Sequence, residues 1–245
     1  MFKNMQKQTS SIRLKEAFCS RAYRAGSGVS LFIMSLHELT VINGIMLYSN
    51  TILEEIGGPI TPRIGTYIIG LVSLFSAITS LYAAKTFSRR FLFIGGHFAM
   101  GIFHIGIGYF IMINKGAYAL VSILLFMFVS WNSSNAITWL YCSEIAPDIT
   151  LGFVGTTGYF TTFVLALTMQ PMMDSKLFGQ SGTFYTYGTI NILGAIWCVF
   201  YLKETSGGLT DKEKKSLYIP EDIQKELRQK SDMDVDRRRV FVADK

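Results

Sequence analysis

The sequence has little of what most enzymes and secreted proteins are built on. Its 245 residues include three cysteines and five prolines, and only 16% are charged. The cysteines at 19, 142 and 198 are odd in number and far apart, which argues against a disulfide framework. The sequence has no Gly-rich phosphate loop, HExxH or CxxC motif. We therefore expect no enzyme, no catalytic residues, no metal and no cofactor.

Two of the three histidines share an apolar, Gly-rich stretch. His97 and His104 are seven residues apart, which places them on one face of a helix. No carboxylate or cysteine stands beside them, so we expect packing or a helix–helix hydrogen bond rather than a ligand pair.

The chain is rich in hydrophobic residues, which make up half of it, and its mean hydropathy is positive. This composition is typical of an integral membrane protein. Six apolar stretches are long enough to cross a bilayer. They predict an all-α protein with six transmembrane helices, at 28–50, 64–84, 91–113, 118–141, 153–172 and 183–202. A basic N-terminal segment (1–27) and a charged C-terminal tail (206–245) flank the body (28–205).

The first apolar stretch carries His37, Glu38 and Asn43 in its middle. Such groups usually face a protein interior or a water-filled cavity, so we predict that Glu38 faces protein and is paired. On a continuous helix Glu38 and Asn43 lie about 140° apart, so they are not expected to share a tight face.

Positive charge is distributed unevenly between the two sides of the predicted bundle. The N-terminal segment, the 85–90 loop and the chain from Lys203 onward hold 20 of the 23 Lys and Arg residues. Both termini should therefore face the cytoplasm or the mitochondrial matrix. The basic, acid-poor N-terminus suits a mitochondrial targeting segment, and it equally suits a segment lying on anionic head groups.

Motifs along the chain resemble the C-terminal six-helix half of sugar porters, a family of the major facilitator superfamily. The seventh helix of that family reads QQLSGINxxxxYS, and residues 37–49 here read HELTVINGIMLYS. Its loop acid-R-x-G-R-R corresponds to KTFSRR at 85–90, and its W…E…P to Trp139, Glu144 and Pro147. Its PETKG reads KETSG at 203–207.

The resemblance implies one set of substrate-binding positions and one set of loop positions. The substrate-binding positions are His37, Glu38, Asn43, Tyr48, Ser73 and Trp139. The cytoplasmic-loop positions are Arg89, Arg90, Glu144 and Glu204. In the eleventh helix of the family an asparagine is replaced here by Thr162, and Ser133, Ser134 and Asn135 replace the prolines before the tryptophan.

Several departures suggest that the motifs are degenerate. Glu38 replaces an amide, Lys85 replaces an acid, and the arginines that follow Glu144 in the family are absent. A complete transporter of this fold needs two halves, and the chain matches one. We therefore expect a structural subunit of a larger membrane complex, with a mitochondrial respiratory complex as one setting. The alternative is a working half-transporter acting as a homo- or hetero-dimer.

The expected partners are the lipid bilayer, other membrane subunits and, for the alternative, a second half; nucleic acid is not expected. The sequence predicts that a single half does not exchange hexoses. It also predicts a short helix over 219–230 and docking of Val240–Val242 against another polypeptide.

Overall fold

The computed structural model describes residues 14–57 and 60–225. The described residues form helices without strands, which confirms the all-α prediction. A short helix α1 (Leu14–Cys19) precedes α2 (Arg24–Glu38), α3 (Ile42–Ile56), α4 (Pro62–Thr86), α5 (Arg89–Met112) and α6 (Gly116–Ser130). A π-helical turn (Trp131–Asn135) joins α6 to α7 (Ala136–Ile145). Then come α8 (Asp148–Asp174), α9 (Gly179–Tyr201) and the short α10 (Asp211–Ser216).

Five helical stretches are long and apolar enough to cross a membrane. They are Arg24–Ile56, Pro62–Thr86, Arg89–Met112, Gly116–Ile145 and Asp148–Asp174. The sixth predicted span corresponds to α9, which is not among these five because Thr, Tyr and Asn residues dilute its apolar content. Its 23 residues extend about 34 Å, enough for the hydrocarbon core.

The helix ends follow local chemistry. Pro62 occupies the first turn of α4, where its missing N–H costs nothing. Ser88 caps α5 by accepting a hydrogen bond from the N–H of Phe91 at 3.3 Å. These signals lie close to the boundaries expected from the sequence, whereas the first span begins at Arg24 rather than at residue 28.

The most extensive helix–helix contact in the described residues joins α5 to α9. A Cβ added at Gly101 would lie 3.0 Å from the carbonyl oxygen of Gly188 and 2.5 Å from Ile192, so only glycine allows this approach. Two hydrophobic clusters fill the bundle. One centres on Ile45, Phe126 and Met169, and the other on Ile33 and Tyr141.

Candidate functional site

The first span is interrupted between α2 and α3. Val41 has φ 64° and ψ 19°, in the left-handed region that β-branched residues rarely adopt. Two hydrogen bonds to the end of α2 stabilise the break. The N–H of Val41 donates to the carbonyl of Glu38 at 2.9 Å, and the Thr40 hydroxyl donates to the carbonyl of His37 at 2.7 Å. Such strain persists only where the surroundings enforce it, and it concentrates at functional sites.

The interruption corrects the expectation of a continuous helix. On such a helix Glu38 and Asn43 would diverge, but here the side-chain amide of Asn43 donates to Oε2 of Glu38 at 2.8 Å. Because Val41 between them has a left-handed backbone conformation, the side chains of Glu38 and Asn43 come into contact across the break.

Glu38 lies at the centre of a polar cluster made of His37, Glu38, Asn43, Ser134 and Thr162. Its side chain is 10% exposed, and its Oε2 also accepts from the hydroxyl of Thr162 at 2.6 Å. The Oε1 atom lies 4.0 Å from Nε2 of His37, whose Nδ1 is 2.9 Å from the Ser134 hydroxyl. The prediction that Glu38 faces protein and is paired is therefore confirmed.

The π-helical turn supplies Ser134 to the polar cluster. The three residues that replace the family's prolines before Trp139 lie within this turn, so the span is irregular at 131–135 even without proline. Single π turns inside α-helices are frequently found at functional sites.

The other predicted substrate positions divide into two that reach α8 and one that does not. The Tyr48 hydroxyl donates to the carbonyl of Ala166 at 2.7 Å. The ring of Trp139 lies 3.5 Å from where a Cβ on Gly155 would be. Ser73 is buried and donates to the carbonyl of Ile69 in its own helix, apart from the polar cluster.

One face of α8 thus lines the site. Gly155, Gly158, Thr162 and Ala166 recur at helical spacing and contact, in turn, Trp139, the Met34–Glu38 region, Glu38 and Tyr48. Three of the six predicted positions, Glu38, Tyr48 and Trp139, therefore contact this face of α8. His37 and Asn43 join them through Glu38, and Ser73 lies in another helix.

Ser134 and Thr162 are site residues that the prediction omitted. Both stand where the family motif has another residue, a proline and an asparagine respectively. A hydroxyl at such a position is the signal that could have identified them.

The cytoplasmic-loop positions form a second cluster at the N-terminal end of α5. Glu144 is paired with Arg89 at 3.4 Å and with Lys214 at 2.7 Å. The arginines that follow Glu144 in the family are absent here, yet its carboxylate is not without cations: Arg89 comes from the start of α5 and Lys214 from α10.

Glu204 completes this cluster by capping α5. Its carboxylate accepts the backbone N–H groups of Arg89 and Arg90 at 3.1 and 3.2 Å. Burial raises the pKa of Glu204, but hydrogen bonds from Ser206, Ser88 and Arg90 outweigh it and hold the pKa below its ordinary value. A carboxylate here also complements the positive end of the helix.

Residues 203–218 form a terminal strap that lies across this end of the bundle. The hydroxyl of Tyr218 lies 2.7 Å from that of Tyr141 and accepts the N–H of Lys203 at 3.0 Å. Lys215 bonds to Asp148 at 2.7 Å. The predicted docking of Val240–Val242 lies outside the described residues, as does the end of the helix predicted over 219–230, of which 221–225 are helical.

Within 14–57 and 60–225, no group of three His, Cys, Asp or Glu residues could hold a metal. Nδ1 of His97 and of His104 lies 2.9 Å from the carbonyl oxygens of Phe93 and Met100, four residues earlier in α5. Both rings are buried against aromatic side chains.

The comparisons with known proteins agree with this geometry. The chain is 24% identical over 202 residues to the facilitated trehalose transporter Tret1 of Aedes aegypti, covering 77% of this chain and 25% of that protein. It is 30% identical over 205 residues to the sugar transport protein MST7 of Oryza sativa subsp. japonica, covering 76% and 39%. The chain thus spans about a quarter to two fifths of these relatives.

Solved structures show the same fold. A crystal structure of a double-Trp mutant of XylE aligns with a TM-score of 0.75 at 18% identity, covering 87% of this chain and 46% of that one. The inward-open xylose transporter XylE from E. coli aligns with a TM-score of 0.68 at 19% identity, covering 87% and 44%. The chain has the architecture of about half of such a protein.

The family model described as sugar (and other) transporter matches residues 1–213. The motif order, the half-length fold and this match agree, and the chain belongs to the sugar (and other) transporter family.

Proposed function

We propose that this six-helix unit is one half of a sugar transporter whose binding site is completed by a second six-helix half. The observation that carries the proposal is the polar cluster around Glu38, built where both the α2–α3 span and the α6–α7 span are interrupted. Broken helices lining a polar site between two repeats are the usual design of secondary transporters.

The face beside the polar cluster is open. Asn43 is exposed on α3. Among the five apolar spans, α4 and α8 are the least covered by protein: 28% and 22% of their most apolar stretch is buried, compared with 61% for the first span. Exposed polar groups at membrane depth are costly in lipid and are usually covered by protein or face a cavity. A second half set against α4 and α8 would enclose Asn43.

The first expectation from the sequence, a structural subunit of a membrane complex such as a mitochondrial one, rested partly on the absence of the arginines that follow Glu144 in the family. Glu144 nevertheless has two cationic partners, Arg89 and Lys214, which weakens that argument. The relatives compared above are named as sugar transporters, which favours transport.

Uptake by the reconstituted full chain tests the proposal. Labelled hexose uptake should be saturable in proteoliposomes where two halves associate, as reported by cross-linking through Leu47→Cys, a position 64% exposed on α3. A preparation that stays a single half should show none. Asn43→Ala should abolish uptake, whereas Asn50→Ala, exposed two turns further along α3, should keep it. Equal uptake in the Asn43→Ala and wild-type proteins, or no uptake from associated halves, would contradict the proposal.

A further inference from the structure

We infer that the solute bound at this site carries a positive charge, and that Glu38 recognises an ammonium group such as that of an amino sugar. The inference rests on the proposed transport function and adds the chemical class of the substrate.

The first step is the missing counter-charge. Across the described ranges, the lysines and arginines that form ion pairs do so with carboxylates other than Glu38. The basic group beside Glu38 is His37, whose Nε2 is 4.0 Å from Oε1, beyond hydrogen-bonding reach. A buried carboxylate is costly unless a cation compensates it. The cluster leaves that role to a ligand.

The second step is the distribution of donors on the carboxylate. Asn43 and Thr162 both donate to Oε2. The part of the chain that the structure describes records no donor to Oε1. A carboxylate accepts hydrogen bonds on both oxygens, so Oε1 keeps capacity for an incoming donor. Gly158 adds no side chain there: a Cβ on it would lie 3.6 Å from Oε1.

The third step is the spacing of the acceptors. When the ring proton of His37 lies on Nδ1 and donates to Ser134, Nε2 is an acceptor 4.0 Å from Oε1. A nitrogen about 2.8–2.9 Å from each atom would bridge them. An ammonium group has three N–H donors and can satisfy both acceptors, whereas a sugar hydroxyl has one proton and can satisfy one. The pair therefore favours an ammonium group over a hydroxyl.

The test compares three probes that differ at one position of the ring: D-glucosamine, N-acetyl-D-glucosamine and D-glucose. Binding to the full chain in lipid nanodiscs is measured by calorimetry at a pH where the glucosamine amine is protonated. We expect glucosamine to bind about tenfold tighter than the two neutral sugars, the effect of one hydrogen bond to a charged group. Raising the pH until the amine loses its proton should remove this preference without any substitution.

Variants assign the preference to Glu38. Glu38→Gln keeps the shape and should bind all three probes alike, whereas Glu54→Gln, exposed at the far end of α3, should keep the preference. His37→Gln retains the carboxylate but removes the imidazole acceptor, so it should weaken the preference without abolishing it. Equal binding of glucosamine and glucose to the wild-type protein, or a preference lost only in His37→Gln, would overturn the inference and leave the transport proposal standing. If nanodiscs that hold two associated halves, as reported by the Leu47→Cys cross-link, show no saturable binding of any probe, both the inference and the transport proposal are overturned.

Discussion

Thr162 supplies one of the two hydrogen bonds to the carboxylate of Glu38. Its hydroxyl donates to Oε2 of Glu38 at 2.6 Å and ties α8 to the end of α2. Thr162→Val keeps the shape and removes the donor. Because a hydrogen bond to a charged group contributes about 1.5–3 kcal/mol, we expect the free energy of unfolding to fall by about that amount. Thermal unfolding in detergent measures the loss.

Thr156→Val on the same helix is the matched control. Thr156 is exposed, and its hydroxyl donates to the carbonyl of Gly152 in its own helix at 2.9 Å. This substitution should change stability by less than about 0.5 kcal/mol. Equal losses for the two valine variants would mean that the bond to Glu38 contributes nothing.

Glu204 makes the packing of the strap sensitive to acid. Its pKa is lowered in the folded protein, so the unfolded chain takes up the proton first as the pH falls. The stabilisation is complete above the ordinary value of about 4.5 and is lost as the pH drops through the lowered pKa. We expect the gap in unfolding temperature between wild-type and Glu204→Gln protein to shrink below that pH. A gap that widens with acidification would contradict this.

At the scale of elements, the two spans that supply the polar cluster are both irregular. One breaks at residues 39–41 and the other widens at 131–135, and the His37–Ser134 contact joins the two irregularities. Irregular backbone inside a membrane protein is tolerated where it is buried in protein or lines a cavity. Because these two irregular segments are in contact, the polar side chains of both spans come together in one cluster.

An ion pair from the short helix α10 holds the terminal strap to the bundle. Lys214 reaches from α10 to Glu144, whose side chain is 8% exposed. Removing one partner of a buried pair costs about 3–5 kcal/mol, and the cost should be smaller here because Arg89 still contacts Glu144. We expect Lys214→Ala to release the strap, so that chymotrypsin cleaves after Leu217 or Tyr218.

Lys212→Ala provides the comparison for the strap. Lys212 lies in the same short helix and is exposed, so its loss should leave the cleavage pattern unchanged. If both alanine variants resist chymotrypsin as the wild-type protein does, the contact between Lys214 and Glu144 does not hold the strap.

At the scale of the whole molecule, an exposed cysteine can report how the protein is oriented in the membrane. Cys19 is exposed on α1, while Cys142 and Cys198 are buried. Leu177, between α8 and α9 at the other end of the bundle, is 85% exposed. From the excess of positive charge near the termini we expect a membrane-impermeant maleimide to label Cys19 only from the cytoplasmic or matrix side.

The Leu177→Cys variant should gain a second label from the opposite side. Labelling of both cysteines from one side would contradict the predicted bundle, and reversal of the two sides would contradict the orientation. The large apolar side chains of α4 and α8, including Leu71, Phe75 and Phe163, are exposed in this unit and are available to lipid or to a second half.

The sequence by itself determined the helical membrane class and the approximate spans. Long apolar runs have few stable folds in a bilayer, so composition and length suffice to predict them. The order of degenerate motifs likewise indicated the family; the substrate-binding positions that it implies stay predictions. Glu38 was expected to find hydrogen-bonding partners, because a carboxylate without them is costly in a membrane interior.

Only the tertiary structure decided which groups meet. Asn43 reaches Glu38 because Val41 adopts a left-handed conformation, and nothing in the residue type of a buried valine indicates that. Glu144 finds Arg89 and Lys214 at sequence separations of 55 and 70 residues. The local sequence pattern does not predict contacts between residues so far apart in the sequence, because such contacts depend on how whole helices pack and where they break.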